Sequence, residues 1–180
     1  SQVYGGGGNA SATYTHHFIE LFNRGTAPVN IGGWSVQYTS ATGTGNFGAN
    51  TTLITPLPAI SINPGQYFLV QEASQAAVGA PLPTPGQADG TPIAMAAGAG
   101  KVALVNDAVT LGCNGSTVSC AGQLARIVDL VGYGTGASGA NFFEGSGPAP
   151  TISATTSDQR NGNGCNDTDN NSADFTAATP

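Results

Sequence analysis

Between His17 and Tyr38 the chain reads HFIELFNRGTAPVNIGGWSVQY, and no other stretch limits the possible folds so sharply. Phe18, Ile19, Leu21 and Phe22 crowd around a single Glu20. Trp34, Val36 and Tyr38 then alternate with polar neighbours at the two-residue period of a strand that buries one face. Asn23-Arg24-Gly25, between the two runs, supplies turn residues. Two β-strands joined by a loop are predicted, with the only tryptophan at the start of the second.

The remainder is punctuated too often for long helices. The whole chain's 27 glycines and 11 prolines recur every few positions, which suits short strands linked by turns, so the fold class is all-β. Further strands are expected at Gln2–Tyr4, at Gln66–Val70 after the turn signal Asn63-Pro64-Gly65, at Lys101–Val105 and within Ala125–Tyr133. Gln66–Val70 reads as apolar on both faces, as in a sandwich interior. Pro56 and Pro58 restrict Leu53–Ile62 to an edge strand or an irregular segment. One domain over residues 1–180 is predicted, with a loop excursion at 73–100 and an irregular tail at 134–180. Gly5 to Gly8 read as a linker after the first strand.

Charge narrows the partners. Four basic residues against ten acidic ones give a net charge of −6, and only 8% of the chain is charged. Nothing here makes a basic footprint for nucleic acid or for an anionic membrane. No apolar run approaches the roughly 20 residues of a membrane-spanning helix. No signal peptide is visible, so in a secreted protein Ser1 would be the mature end.

Candidate chemistry is sparse. Cys113 and Cys120 bracket CNGSTVSC, which can close as a surface disulfide in an oxidising compartment, with an entropic gain of roughly 2–3 kcal/mol. Cys165 is then a free thiol, an intermolecular bridge, or the partner of one of the other two. His16 and His17 are the only histidines, and adjacent strand residues point to opposite faces, which argues against a shared ligand sphere. With no Gly-x-Ser-x-Gly elbow and no base–nucleophile pair in view, no catalytic residue is assigned. Glu20 and Asp129 interrupt apolar strands, where a charge must face solvent or pair, and Arg24, Arg126 and Arg160 are available. Asp167, Asp169, Asn171 and Asp174 place hard oxygens close together, so calcium is the one cofactor the sequence suggests. The helix–loop–helix calcium pattern is not met, because Ser172 stands where glycine is needed and Ala178 where the bidentate glutamate belongs. Asn9, Asn50, Asn114, Asn166 and Asn170 each open an Asn-x-Ser/Thr triplet.

The motifs in order, SQVYGGGGN, FIELFNRGTAPVNIGGWSVQY, NPGQYFLV, IVDLVGYG, SDQRN and CNDTDNNSADF, resemble those of the lamin tail domain family in its bacterial secreted form. The likeness covers nearly the whole chain, and the IELFN to GW pairing is its most specific part. It implies an immunoglobulin-like β-sandwich with long irregular loops, usually non-catalytic, found alone or attached to secreted nucleases and other hydrolases. The expected function is therefore a non-catalytic extracellular or cell-surface protein that associates with copies of itself, as a filament or surface matrix. The alternative is an accessory module that targets or stabilises a secreted hydrolase. Low charge weakens the repulsion that keeps copies apart. Gln2, Val3 and Tyr4, ahead of the glycine run, are the segment expected to add to a neighbour's sheet edge.

Overall fold

The computed structural model describes residues 1–180. Its strands are β1 (Gln2–Tyr4), β2 (Phe18–Phe22), β3 (Val29–Asn30), β4 (Ser35–Ser40), β5 (Ile54–Pro56), β6 (Ser61–Ile62), β7 (Tyr67–Gln71), β8 (Gln87–Ala88), β9 (Gly100–Val105), β10 (Ile127–Tyr133), β11 (Ser157–Arg160) and β12 (Phe175–Ala178). A 3-10 turn covers Ala121–Arg126 and a single helical turn, α1, covers Asn171–Asp174. One sheet runs β12-β11-β1-β2-β7-β8, a second runs β10-β9-β4-β5, and β3 pairs with β6 as a small ribbon.

The two strands predicted in the organising stretch are both present, as β2 and β4. They lie in different sheets, so the loop between them carries the chain from one layer to the other. Alternation decides what meets in between. Val3, Ile19, Leu21, Phe68 and Val70 from the first sheet face Val36, Tyr38, Val102, Val131 and Tyr133 from the second, all buried in one cluster. A second, smaller cluster lies on the other side of β9 and β10, where Ala103, Val105 and Leu130 meet Phe47, Leu111, Cys113 and Cys120. The chain from 106 to 120 covers that face. Ser35 and Gln37 hold it down by donating to the carbonyls of Asp107 and Val109 at 2.7 and 2.9 Å.

Four expectations are corrected. Gly5 to Gly8 are buried rather than a linker; a Cβ at Gly5 would overlap the Ala96 carbonyl, and one at Gly7 the His16–His17 peptide. The 73–100 stretch is not an excursion from the core, since Ile93 and Met95 are buried in the main cluster and β8 adds to the sheet beside β7. The tail is not irregular throughout, because β11 and β12 complete the six-stranded sheet, and β11 pairs with β1. Tyr67–Val70 buries one face only: Phe68 and Val70 point inward, whereas Tyr67 is 48% exposed.

Candidate interaction site

Where the ends of the two sheets meet, a cleft of about 260 Å³ opens between them. Leu21 and Phe22 from the end of β2, Val29 and Ile31 from the ribbon, Trp34 ahead of β4, and Leu104 and Val128 from β9 and β10 form its apolar walls. Its charged side comes from β10, β11 and the loop after β11. Arg160, 5% exposed, donates to Asp129 at 2.7 and 2.9 Å and to Asp167 at 2.7 Å. Its guanidinium also stacks 4.5 Å from the Phe175 ring centroid. Arg24 reaches Asp167 from the rim at 3.0 Å.

These charges satisfy one another, so the cleft presents apolar walls beside an ionic lining with no unmet demand. Its volume is below the roughly 300 Å³ at which small-molecule sites begin. A cleft of this size and chemistry suits one or two protruding side chains of a partner. Of the two alternatives for Asp129, facing solvent or pairing with an arginine, the structure has the pair, with Arg160. Glu20 is different: it accepts from the Ser1 hydroxyl at 2.9 Å and has no arginine partner.

The four residues proposed from sequence as calcium ligands do not converge. The Asn171 side chain accepts from the Gly132 N–H at 2.8 Å and donates to the Leu130 carbonyl at 2.9 Å, so it serves β10 as a neighbouring strand's peptide would. Asp174 receives the Thr168 N–H and hydroxyl, both at 2.8 Å, and the Asn170 N–H at 3.2 Å. Burial opposes its charge, yet these bonds and Arg160 hold its carboxyl below the ordinary range. Asp167 is tied to the two arginines. The carboxylates that do gather within 4.8 Å are Glu144, Asp167 and Asp169. Burial and then the charges of Asp129 and Asp167 push Glu144 up to about 7.

The histidines do not share a site. His17 is wholly buried, accepts the Gly7 N–H on Nδ1 at 2.9 Å and leaves Nε2 without a partner, and burial brings its pKa down to about 4. His16 contacts the Thr15 hydroxyl instead. Gln2, Val3 and Tyr4 are not a detachable strand: β1 is hydrogen-bonded on both sides, to β11 and β2, and Val3 and Tyr4 are buried. Cys113 and Cys120 form the disulfide, 2% exposed each and so not on the surface. Cys165 is a free, exposed thiol.

The disulfide braces a second feature that sequence reading passed over. Val109, Val118 and Leu124 are 65%, 41% and 57% exposed, the first two within the segment that covers the smaller core and Leu124 in the 3-10 turn that follows it. Arg126 fixes its base, donating to Asp107 twice at 2.7 Å, to Gln123 at 2.7 Å and to the Val109 carbonyl at 2.6 Å. Val128, 48% exposed, follows two residues later and also lines the cleft. The signal was available, since valine and leucine inside a Gly/Ser/Thr/Asn loop have nowhere obvious to bury.

A family model described as Lamin Tail Domain matches residues 1–135. The match runs from β1 through β10 and stops before β11, α1 and β12, so SDQRN and CNDTDNNSADF lie outside it. No curated protein and no solved structure matches the chain.

Proposed function

Because this chain belongs to the lamin tail domain family, whose immunoglobulin-like domains are generally non-catalytic and often structural or interaction modules, we propose that it is an extracellular structural protein that associates with copies of itself into a filament or surface matrix. The observation that carries this reading is the set of exposed aliphatic side chains, Val109, Val118 and Leu124, held on a platform braced by Cys113–Cys120 and Arg126. Single exposed apolar residues are ordinary, but several on one braced segment favour a partner surface. Few charges oppose the approach of a second copy. The disulfide supports an oxidising, extracytoplasmic location. The cleft, lined by Trp34, Leu104 and Val128, is a receptor of the right size for such side chains.

The test is the native mass across a concentration series, with electron microscopy of the same samples. Particles larger than one chain are expected, and Val109→Lys with Leu124→Lys should lower their abundance without changing the melting temperature. A monomer at every concentration would sink the reading.

A further inference from the structure

A sheet exposes four free edges when it is split into two open layers, and here the edges are β12 and β8 in one sheet and β10 and β5 in the other. Unpaired edges invite strand addition, and folded proteins block those that must stay single. Three of these four are blocked. Strand β5 ends in Pro56, with Pro58 two residues on, and proline supplies no N–H to a neighbour. Strand β8 has two residues and follows Pro81, Pro83 and Pro85. Strand β10 is plugged: Asn171 occupies the Leu130 carbonyl and the Gly132 N–H, and Ala149 donates to the Gly132 carbonyl at 2.7 Å.

Strand β12 has no proline within it and no side chain bonded to its outer edge, Pro180 standing two residues past its end. The Asn161 N–H donates to the Asp174 carbonyl at 2.7 Å, and on the other side of β11 the Arg160 N–H donates to the Ser1 carbonyl at 2.7 Å. Alternation from these bonds turns the peptide groups of Thr176 and Ala178 toward β11. Those of Ala177, and the Phe175 carbonyl, then face away from the sheet. The Phe175 N–H is occupied by the Asn171 carbonyl. No side chain from 175 to 179, Phe-Thr-Ala-Ala-Thr, carries a charge.

We infer that β12 is a self-pairing edge, and that a second copy of this chain adds its own β12 antiparallel across a two-fold axis at Ala177, continuing the six-stranded sheet into a twelve-stranded one. A two-fold contact needs only one free edge and matches it with itself. That requirement selects the occupant, since β12 is the one edge of the two large sheets left open, the β3–β6 ribbon having strands of only two residues, and its neutrality removes the like-charge repulsion that self-pairing would otherwise bring. About the axis, each Ala177 N–H meets the other copy's Ala177 carbonyl. This inference rests on the self-association reading and adds a closed contact to it; the apolar platform supplies the contact that would propagate an assembly.

Sedimentation velocity of the full chain over a wide concentration range tests it, with Thr176→Lys and Ala177→Pro as the variants. Thr176→Lys sets like charges across the axis at an exposed position. Ala177→Pro removes an outward N–H and leaves the bonds to β11 in place. Each should raise the concentration at which pairs form by about tenfold or more, the loss expected from one or two hydrogen bonds, with the melting temperature of Thr176→Lys unchanged. In the wild type, amide exchange at Ala177 should slow as pairs form. A wild type that associates while Thr176→Lys associates equally well overturns the edge and leaves the self-association reading intact. A wild type that stays monomeric overturns both.

Discussion

Asp158 and Arg160 stand two residues apart on β11, both turned toward the opposite sheet and both buried, at 0% and 5% exposure. Their circumstances are opposite. Arg160 lies at the mouth of the sandwich, where β10, the 161–170 loop and α1 each deliver a carboxylate: Asp129 and Asp167 at 2.7 Å and Asp174 at 3.6 Å. Asp158 lies two residue pairs deeper, beside Val3 and Ala177 in the ladder, and neither of its oxygens has a partner. Burial alone pushes its carboxyl up to about 8. The difference is one of access. Loops can fold over the rim of a sheet and bring charges to meet a charge, whereas the middle of the ladder receives only what neighbouring strands carry.

Of the two residues, Arg160 carries the larger energetic consequence. Arg160→Leu keeps the volume and removes the cation, leaving Asp129, Asp167 and Asp174 facing one another. Losing one partner of a buried ionic group costs about 3–5 kcal/mol, so urea unfolding should show a loss of that size. Adding Asp129→Asn to the same chain should restore part of it. A loss under about 1 kcal/mol would mean that the loops simply open to water and that the mouth is not a buried site.

Asp158 tests the other half. A raised folded-state pKa means that the stability contributed by the protonated acid is complete below the unfolded value, near 4, and is lost as pH rises through about 8. Glu72 acts with the same sign, raised to about 7 by burial although Thr55 and the Ile93 N–H both donate to it at 2.7 Å. Glu144, also raised to about 7, adds to them. His17 acts oppositely: lowered to about 4, first by burial and then by His16, it contributes stability above its unfolded pKa that is lost as pH falls through 4. Asp158→Asn should therefore flatten the decline in melting temperature between pH 4 and pH 8, gain about 1–3 kcal/mol at pH 8, and leave the acid limb unchanged. An identical pH profile in the variant would show that Asp158 is hydrated or paired.

The same two residues explain how much could be read in advance. Strands β2, β4, β7, β9 and β10 were legible because Phe, Ile, Val and Tyr sit at alternate positions and turn residues bound them. Strand β11 was not. Its inward positions are Asp158 and Arg160, so SDQR has the pattern of a surface loop, and only cross-strand partners distant in sequence make it a strand. FTAA and the 93–95 region fail for a related reason: Phe175, Ile93 and Met95 are isolated apolar residues without a period. The cleft was hidden because Trp34 reads as core, and composition does not show that Asn171 and Asp174 give their oxygens to backbone N–H groups and to the Thr168 hydroxyl.

The smallest effect belongs to the outermost member of the ionic group. Arg24 meets Asp167 at 3.0 Å, but its side chain is 54% exposed, so water and salt already screen the pair. Exposed pairs contribute about 0.2–1 kcal/mol. Arg24→Ala should cost no more than that at low salt, and the cost should vanish near 1 M salt, where the screening length falls to about 3 Å. Asp167 keeps Arg160 at 2.7 Å in the variant, which is why removing the rim cation is cheap while removing the buried one is not. A salt-independent loss above about 2 kcal/mol would place Arg24 with Arg160 as part of the buried network, and the contrast drawn along β11 would then extend to the rim as well.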